Sequence, residues 1–158
     1  LQNNTFEKNQ ILLKKRALYY LGKREYSRRE LQQKIESFAD DLDISRQQMD
    51  KVLSELVDKD WLSDTRFTDQ FIFSKKKKYG FEKIRYELKM RGVDEAIVNE
   101  SLNEIKSEEY NLAKNIWEKK FRKLPEDYEK KLKQMRFLKG RGINSALINQ
   151  ILSGKVPE

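Results

Sequence analysis

Two stretches of this chain stand fifty residues apart and copy each other. Leu88-Lys89-Met90-Arg91-Gly92-Val93-Asp94-Glu95-Ala96-Ile97-Val98-Asn99 returns as Leu138-Lys139-Gly140-Arg141-Gly142-Ile143-Asn144-Ser145-Ala146-Leu147-Ile148-Asn149. Leu, Lys, Arg, Gly, Ala and Asn recur in place, and Val93/Ile143, Ile97/Leu147 and Val98/Ile148 exchange one branched apolar residue for another. A period of this length is the mark of a repeat architecture. Its physics is that of a helix stop and restart. Gly92 and Gly142 fall where a helix C-terminus needs positive φ. Asp94 and Asn144 are N-cap residues for the next helix. Val93 with Val98, and Ile143 with Ile148, form the apolar staple across each cap.

A weaker third copy lies upstream. Ile44-Ser45-Arg46-Gln47-Gln48-Met49 has the staple, the Ser cap and a Gln at the capping-box position, and Ser27-Arg28-Arg29-Glu30 is a second capping box. The link between them, residues 36–43, is longer than its counterpart and has no Gly. Each copy is preceded by an apolar-periodic segment. These run from Gln10 to Arg24, from Asp64 (the expected N-cap) to Tyr79, and from Glu108 to Lys123. Pro125 fits the first turn of a further helix. Phe67, Phe71, Trp117 and Phe121 have core spacing, and Trp61 reads as a plug between helices. The expected fold is therefore all-α. Three tandem three-helix, helix-turn-helix-like repeats (residues 10–62, 63–106 and 107–155) form an elongated, curved body.

Composition agrees and narrows the function. Two Pro and six Gly in 158 residues leave little room for β-turns. With no Cys there is no disulfide framework or thiol nucleophile, and with no His no Ser-His-Asp triad. The phosphate-loop pattern GxxxxGK[ST] and GxGxxG are both absent, so nucleotide hydrolysis has no basis in the sequence. Asp40-Asp41-Leu42-Asp43 lacks the length and Gly placement of a calcium loop. The expectation is a binding protein that is not an enzyme, with no metal and no cofactor. No apolar stretch approaches the ~20 residues of a membrane span. Residues 1–6 have no signal-peptide pattern, which with the lack of Cys points to the cytoplasm. A start at Leu1 rather than Met fits a processed form or a piece of a longer chain.

The formal net charge is +8, and it is graded. Residues 1–62 carry 12 basic and 11 acidic side chains, residues 63–106 carry 10 and 8, and residues 107–158 carry 12 and 7. Such a field steers a polyanion or an acidic groove. Lys75, Lys76, Lys77, Lys78 and Tyr79 form the densest cluster; they suit phosphate contact with a stacking ring, or a solvated helix end favoured by the macrodipole. Arg85 and Lys89 share a helix face, with Glu82 and Glu87 as possible partners. Lys130, Lys133, Arg136 and Lys139 form a second basic stretch with few acids. Arg91 and Arg141 can satisfy C-terminal carbonyls.

The ordered motifs resemble the RecX family of bacterial regulators. The likeness rests on residues 16–31, with Arg24, Ser27, Glu30 and Leu31, and on Trp61 to Phe67, with Asp64 and Arg66. It continues through the basic run Lys75–Lys78 to Gly80, and through Leu88, Gly92 and Val93. It covers about residues 10 to 155. Gly80-Phe81 departs from the family's Gly-Pro, and Asp127-Tyr128 stands where a Gly is expected. The resemblance implies a monomeric modulator that binds the groove of the RecA–DNA filament. It would inhibit ATPase and strand exchange and impede filament growth, with single- or double-stranded DNA as a further partner in DNA repair. A sequence-specific helix-turn-helix DNA binder, with Arg46-Gln47-Gln48 reading bases, is the alternative; a purely structural helical adaptor is a third.

Overall fold

The computed structural model describes residues 2–155, and among them the regular elements are helices only. The first repeat holds α1 (Gln2–Leu21), α2 (Arg28–Asp41) and α3 (Arg46–Asp58). The second holds α4 (Asp64–Lys75), α5 (Phe81–Met90) and α6 (Glu95–Glu104). A 3-10 turn, Lys106–Glu108, leads to the third, with α7 (Glu109–Phe121), α8 (Tyr128–Gly140) and α9 (Ser145–Leu152). The helix pairs that pack extensively lie within a repeat.

Each repeat closes its own core. Leu13, Leu31, Ile35, Leu53, Leu56 and Leu62 are sealed in the first. Phe67, Ile84, Leu88, Val98 and Leu102 fill the second, and Ile116, Trp117, Leu138, Ile143 and Ile148 the third. Each buried large apolar side chain contributes about 1.5–3 kcal/mol to its bundle. The third core contains a polar pair: Trp117 Nε1–H donates to Gln134 Oε1 at 2.7 Å. Both residues are buried, so the bond satisfies groups that would otherwise cost about 1–3 kcal/mol.

The caps form as the residues dictate. Ser27 with Glu30, and Ser45 with Gln48, make full capping boxes. Asp94 and Asn144 cap α6 and α9, and Gly92 and Gly142 take φ of 78° and 88°.

Several local expectations change. Helix α1 begins at Gln2 rather than Gln10, since residues 2–9 contain no Gly or Pro and Asn9 Nδ2 donates to Leu42 O at 3.2 Å. The segment 36–43 is mostly helix; only Leu42 and Asp43 turn, Asp43 with φ 54°. Ser63 rather than Asp64 caps α4, because the Asp64 carboxylate is occupied across the repeat boundary. Pro125 lies in the loop before Asp127, which caps α8. Trp61 is 46% exposed with Lys14 and Lys59 over its ring, while its neighbour Leu62 supplies the plug.

The repeats meet through one recurring joint: the turn of one repeat seats on the start of the middle helix of the repeat before it. At the first joint, Ser27 Oγ donates to Arg91 O at 2.7 Å, and a Cβ on Gly92 would stand 2.8 Å from Arg29 Cβ. At the second, Gly80 N–H donates to Arg141 O at 2.7 Å and Glu82 N–H to Gly142 O at 3.1 Å. There a Cβ on Gly80 would fall 2.4 Å from Gly142 O, and one on Gly142 would fall 2.3 Å from Lys83 Cβ. The corresponding turn of the first repeat faces solvent at Asp43, which explains how that copy dispenses with Gly.

Two glycines two residues apart therefore have opposite expected effects. Gly142→Ala forces a side chain into the left-handed region, at about 1–2 kcal/mol, and pushes the joint apart. Gly140→Ala adds a Cβ with open space around it inside α8 and gains about 0.5–1 kcal/mol. Thermal unfolding of the two variants should move the melting temperature down and up respectively.

Candidate polyanion-binding cleft

Helix α4 ends in the lysine run, and the fold divides that run. Lys76 turns to Glu108, at 4.0 Å, and covers Phe73. Lys75 lies over Phe71 and lines a small cavity with Tyr79, Lys83, Glu87 and Arg91. Lys77 and Lys78 face the third repeat. There they line two adjoining cavities of about 680 and 380 Å³, whose further cations are Lys119, Lys120, Arg122 and Arg141. Among the described residues lining the two cavities, Glu118 is the one carboxylate.

Two rings bound this cleft: Phe137 lines the smaller cavity, and Tyr79, which with Lys83 lines the small cavity beside Lys75, stands next to Lys78 and Arg141. Lys83, Lys78 and Arg141 stand 4.2, 5.5 and 5.8 Å from the Tyr79 centroid. Arg141 and Lys120 stand 5.0 and 5.7 Å from Phe137, which is held edge-on by Phe121 at 5.3 Å. Cation–π attraction offsets only part of the repulsion between the cations. None of these cations has a carboxylate within 4.0 Å among the described residues. Arg122 ends α7 with φ 64°, a left-handed conformation that a bulky side chain adopts only at a cost. That strained residue lines the larger cavity.

The first joint handles its charge differently. Arg91 pairs with Glu87 at 2.6 Å and with Glu30 at 3.7 Å, and it donates to Glu87 O at 3.0 Å. Arg66 pairs with Glu25 at 2.9 Å and with Asp60 at 3.0 Å. The Asp64 carboxylate accepts from Arg28 N–H at 2.8 Å. At the second joint Phe137 occupies the place of Glu87, four residues before the arginine, and Lys83 takes the helix position of Glu30. Arg141 is left with a carbonyl, Lys78 O at 3.2 Å. One joint is neutralised from within and the other is not.

The remaining basic residues singled out from the sequence do not join the cleft as a set. Arg85 and Lys89 line a separate cavity of about 430 Å³ with Tyr86, Val93, Glu95 and Val98. Arg85 Nε donates to Asn99 Oδ1 at 3.3 Å. Burial pushes the Glu109 carboxyl up, and Arg85 and Lys106 pull it partly back. On α8, Lys130 pairs with Glu126 at 3.2 Å, while Lys133, Arg136 and Lys139 are exposed. Lys133 lies one turn before Phe137, on the face that borders the cleft. Lys119, Lys120 and Arg122 are cleft residues that sequence reasoning passed over; their signal was a basic cluster at the end of α7, facing a run distant in sequence. Gln48 of the Arg46-Gln47-Gln48 stretch is occupied in its own capping box.

Comparison with known proteins agrees with this layout. Residues 63–102 match the second three-helix domain of RecX, and residues 107–152 match the third. The regulatory protein RecX of Chromobacterium violaceum is 39% identical over 142 residues, covering 90% of each chain. The chain belongs to the RecX family. A second RecX, from Ralstonia pickettii, is 34% identical and covers 91% of this chain and 88% of its own. The crystal structure of RecX from Lactobacillus salivarius superposes with a TM-score of 0.77, covering 94% of this chain and 97% of its own, at 19% identity. Another regulatory protein RecX structure gives a TM-score of 0.78 at 18% identity, covering 93% of this chain and 74% of its own. These two share the three-repeat fold; the sequence relatives establish a family of regulatory proteins.

In this RecX-family chain the ion pairs of the first joint are partly exposed, so each contributes little. Glu87→Gln, which removes the closest partner of Arg91, should lower stability by less than about 1 kcal/mol. A melting curve at low and high salt tests this: the difference from wild type should shrink as salt rises.

Proposed function

We propose that this chain regulates RecA by lying in the groove of the RecA–DNA filament. There it lowers RecA's DNA-dependent ATPase and strand exchange and limits filament growth. The observation that carries the reading is family membership along nearly the whole chain. The chain acts as a cytoplasmic monomer in DNA repair, through binding rather than catalysis. Its repeats, residues 10–62, 63–106 and 107–155, are three units that follow the filament groove. No helix of the described residues is long and apolar enough to cross a membrane.

The charge pattern supports the same reading. A filament wrapped on DNA is a long charged groove, and six cations, none with a carboxylate within 4.0 Å among the described residues, line one cleft in the second and third repeats. Lys77, Lys78 and Lys119 are the leading contacts. Lys75, Arg85, Lys89, Lys130, Lys133, Arg136 and Lys139 supply a wider positive border, and Tyr79 supplies a ring beside the cleft. Lys76, paired with Glu108, has no direct part.

Adding the protein to RecA on single-stranded DNA should reduce ATP hydrolysis; an unchanged rate at stoichiometric amounts would sink the reading. Replacing Lys77, Lys78 and Lys119 together by Ala should weaken filament binding by about an order of magnitude at moderate salt and leave helicity intact by circular dichroism. Lys76→Ala should bind as wild type.

A further inference from the structure

We infer that the joint between the second and third repeats is a phosphate receptor for a nucleic-acid backbone. Lys78, Lys83 and Arg141 hold a phosphodiester above Tyr79 and Phe137. Lys77, Lys119 and Arg122 extend the track along α7. The inference deepens the proposed reading of the cleft, on which it rests, by naming the ligand.

The warrant is an internal comparison. Both joints seat an Arg-Gly turn on the start of the preceding repeat's middle helix: the Ser27 hydroxyl reaches Arg91 O at the first, and main-chain N–H groups reach Arg141 O and Gly142 O at the second. The first shows that this scaffold accommodates carboxylates around the arginine, at Glu87 and Glu30. The second replaces both, with Phe137 and Lys83, and gathers three cations within 6 Å of one ring. Nothing in the fold requires that substitution, and it costs repulsion that an external anion relieves. The cavities beside it, about 380 and 680 Å³, share Lys77 and so form a continuous track rather than a pocket for one small ion.

The wall composition favours nucleic acid over an acidic protein. The cores of protein–protein interfaces are depleted in Lys, whereas phosphate contacts are drawn from Lys and Arg together. Four of the six cations in the cavity walls are lysines. Arg122, one of the two arginines among the six, is held in the left-handed region at the end of α7. Strain of this kind gathers at binding sites.

The test is fluorescence anisotropy of the full chain with a fluorescein-labelled oligodeoxythymidylate of about 12 nucleotides, over a range of KCl. Wild type should bind, with affinity falling as salt rises. Lys83→Glu offers Arg141 the carboxylate that Arg91 enjoys. It should weaken binding about tenfold or more and flatten the salt slope by about one to two ions. Arg141→Gln should act in the same direction, and Lys51→Gln, exposed on α3, should change neither quantity. Melting temperatures of the variants separate lost binding from lost fold; if Lys83→Glu melts early, the exposed Lys78→Gln carries the comparison. Absence of oligonucleotide binding by wild type, or wild-type affinity and slope in both cleft variants, overturns the inference. Variants that keep oligonucleotide affinity but lose inhibition of RecA would assign the cleft to an acidic protein surface, overturning the inference while regulation of RecA stands. Weakened oligonucleotide binding, alongside a wild type without effect on RecA, would leave the phosphate site standing alone.

Discussion

At the second joint, main chain approaches main chain so closely that neither side has room for a Cβ. Gly80 N–H reaches Arg141 O at 2.7 Å, and Gly142 lies against the backbone and Cβ of Lys83. The rest of the arrangement depends on that contact. It fixes where α8 and α9 stand relative to α5, and it brings the lysine run after α4 opposite the end of α7. The glycine is thus required twice, once for positive φ at the helix stop and once for the approach of the neighbouring repeat. A helix stop alone would tolerate Asp, as Asp43 demonstrates in the first repeat.

The first joint seats the same kind of turn through the Ser27 hydroxyl and the Arg29 side chain, and the two joints diverge further in electrostatics. Around Arg91 and Arg66 the carboxylates of Glu25, Glu30, Asp60 and Glu87 close the charge internally. Around Arg141 the partners are two aromatic rings and a carbonyl. Partly exposed ion pairs add little stability, so their loss at the second joint leaves the fold nearly unaffected. Its consequence is the field: a cleft walled by cations raises the local concentration of anions. Stability and binding are therefore separable in this molecule. The cores hold the repeats together, and the joint decides which of them presents charge.

Much of the architecture was legible in local chemistry. Capping boxes at Ser27 and Ser45, caps at Asp94 and Asn144, and the glycines of the repeat act within a few residues, so their spacing along the chain suffices to place them. Trp61 and Leu62 were harder. Both are large and apolar, and only the packing of α1 on α3 decided that Leu62 is sealed while Trp61 stays half exposed under Lys14 and Lys59. Asp64 looked like a cap because it opens a helix; its carboxylate instead serves Arg28, thirty-six residues earlier.

The candidate site shows the same division. The sequence by itself determined that the chain is helical, repetitive, basic and without Cys or His chemistry, because these follow from residue type and short-range spacing. It placed Lys77, Lys78 and Tyr79 in a candidate cluster. Tertiary structure alone decided that Lys76 turns away, that Arg85 and Lys89 belong to another surface, and that Lys119, Lys120 and Arg122 complete the cleft. The reason is physical: a cleft between repeats is made of groups some forty to sixty residues apart, and their meeting depends on a joint whose two sides belong to different repeats.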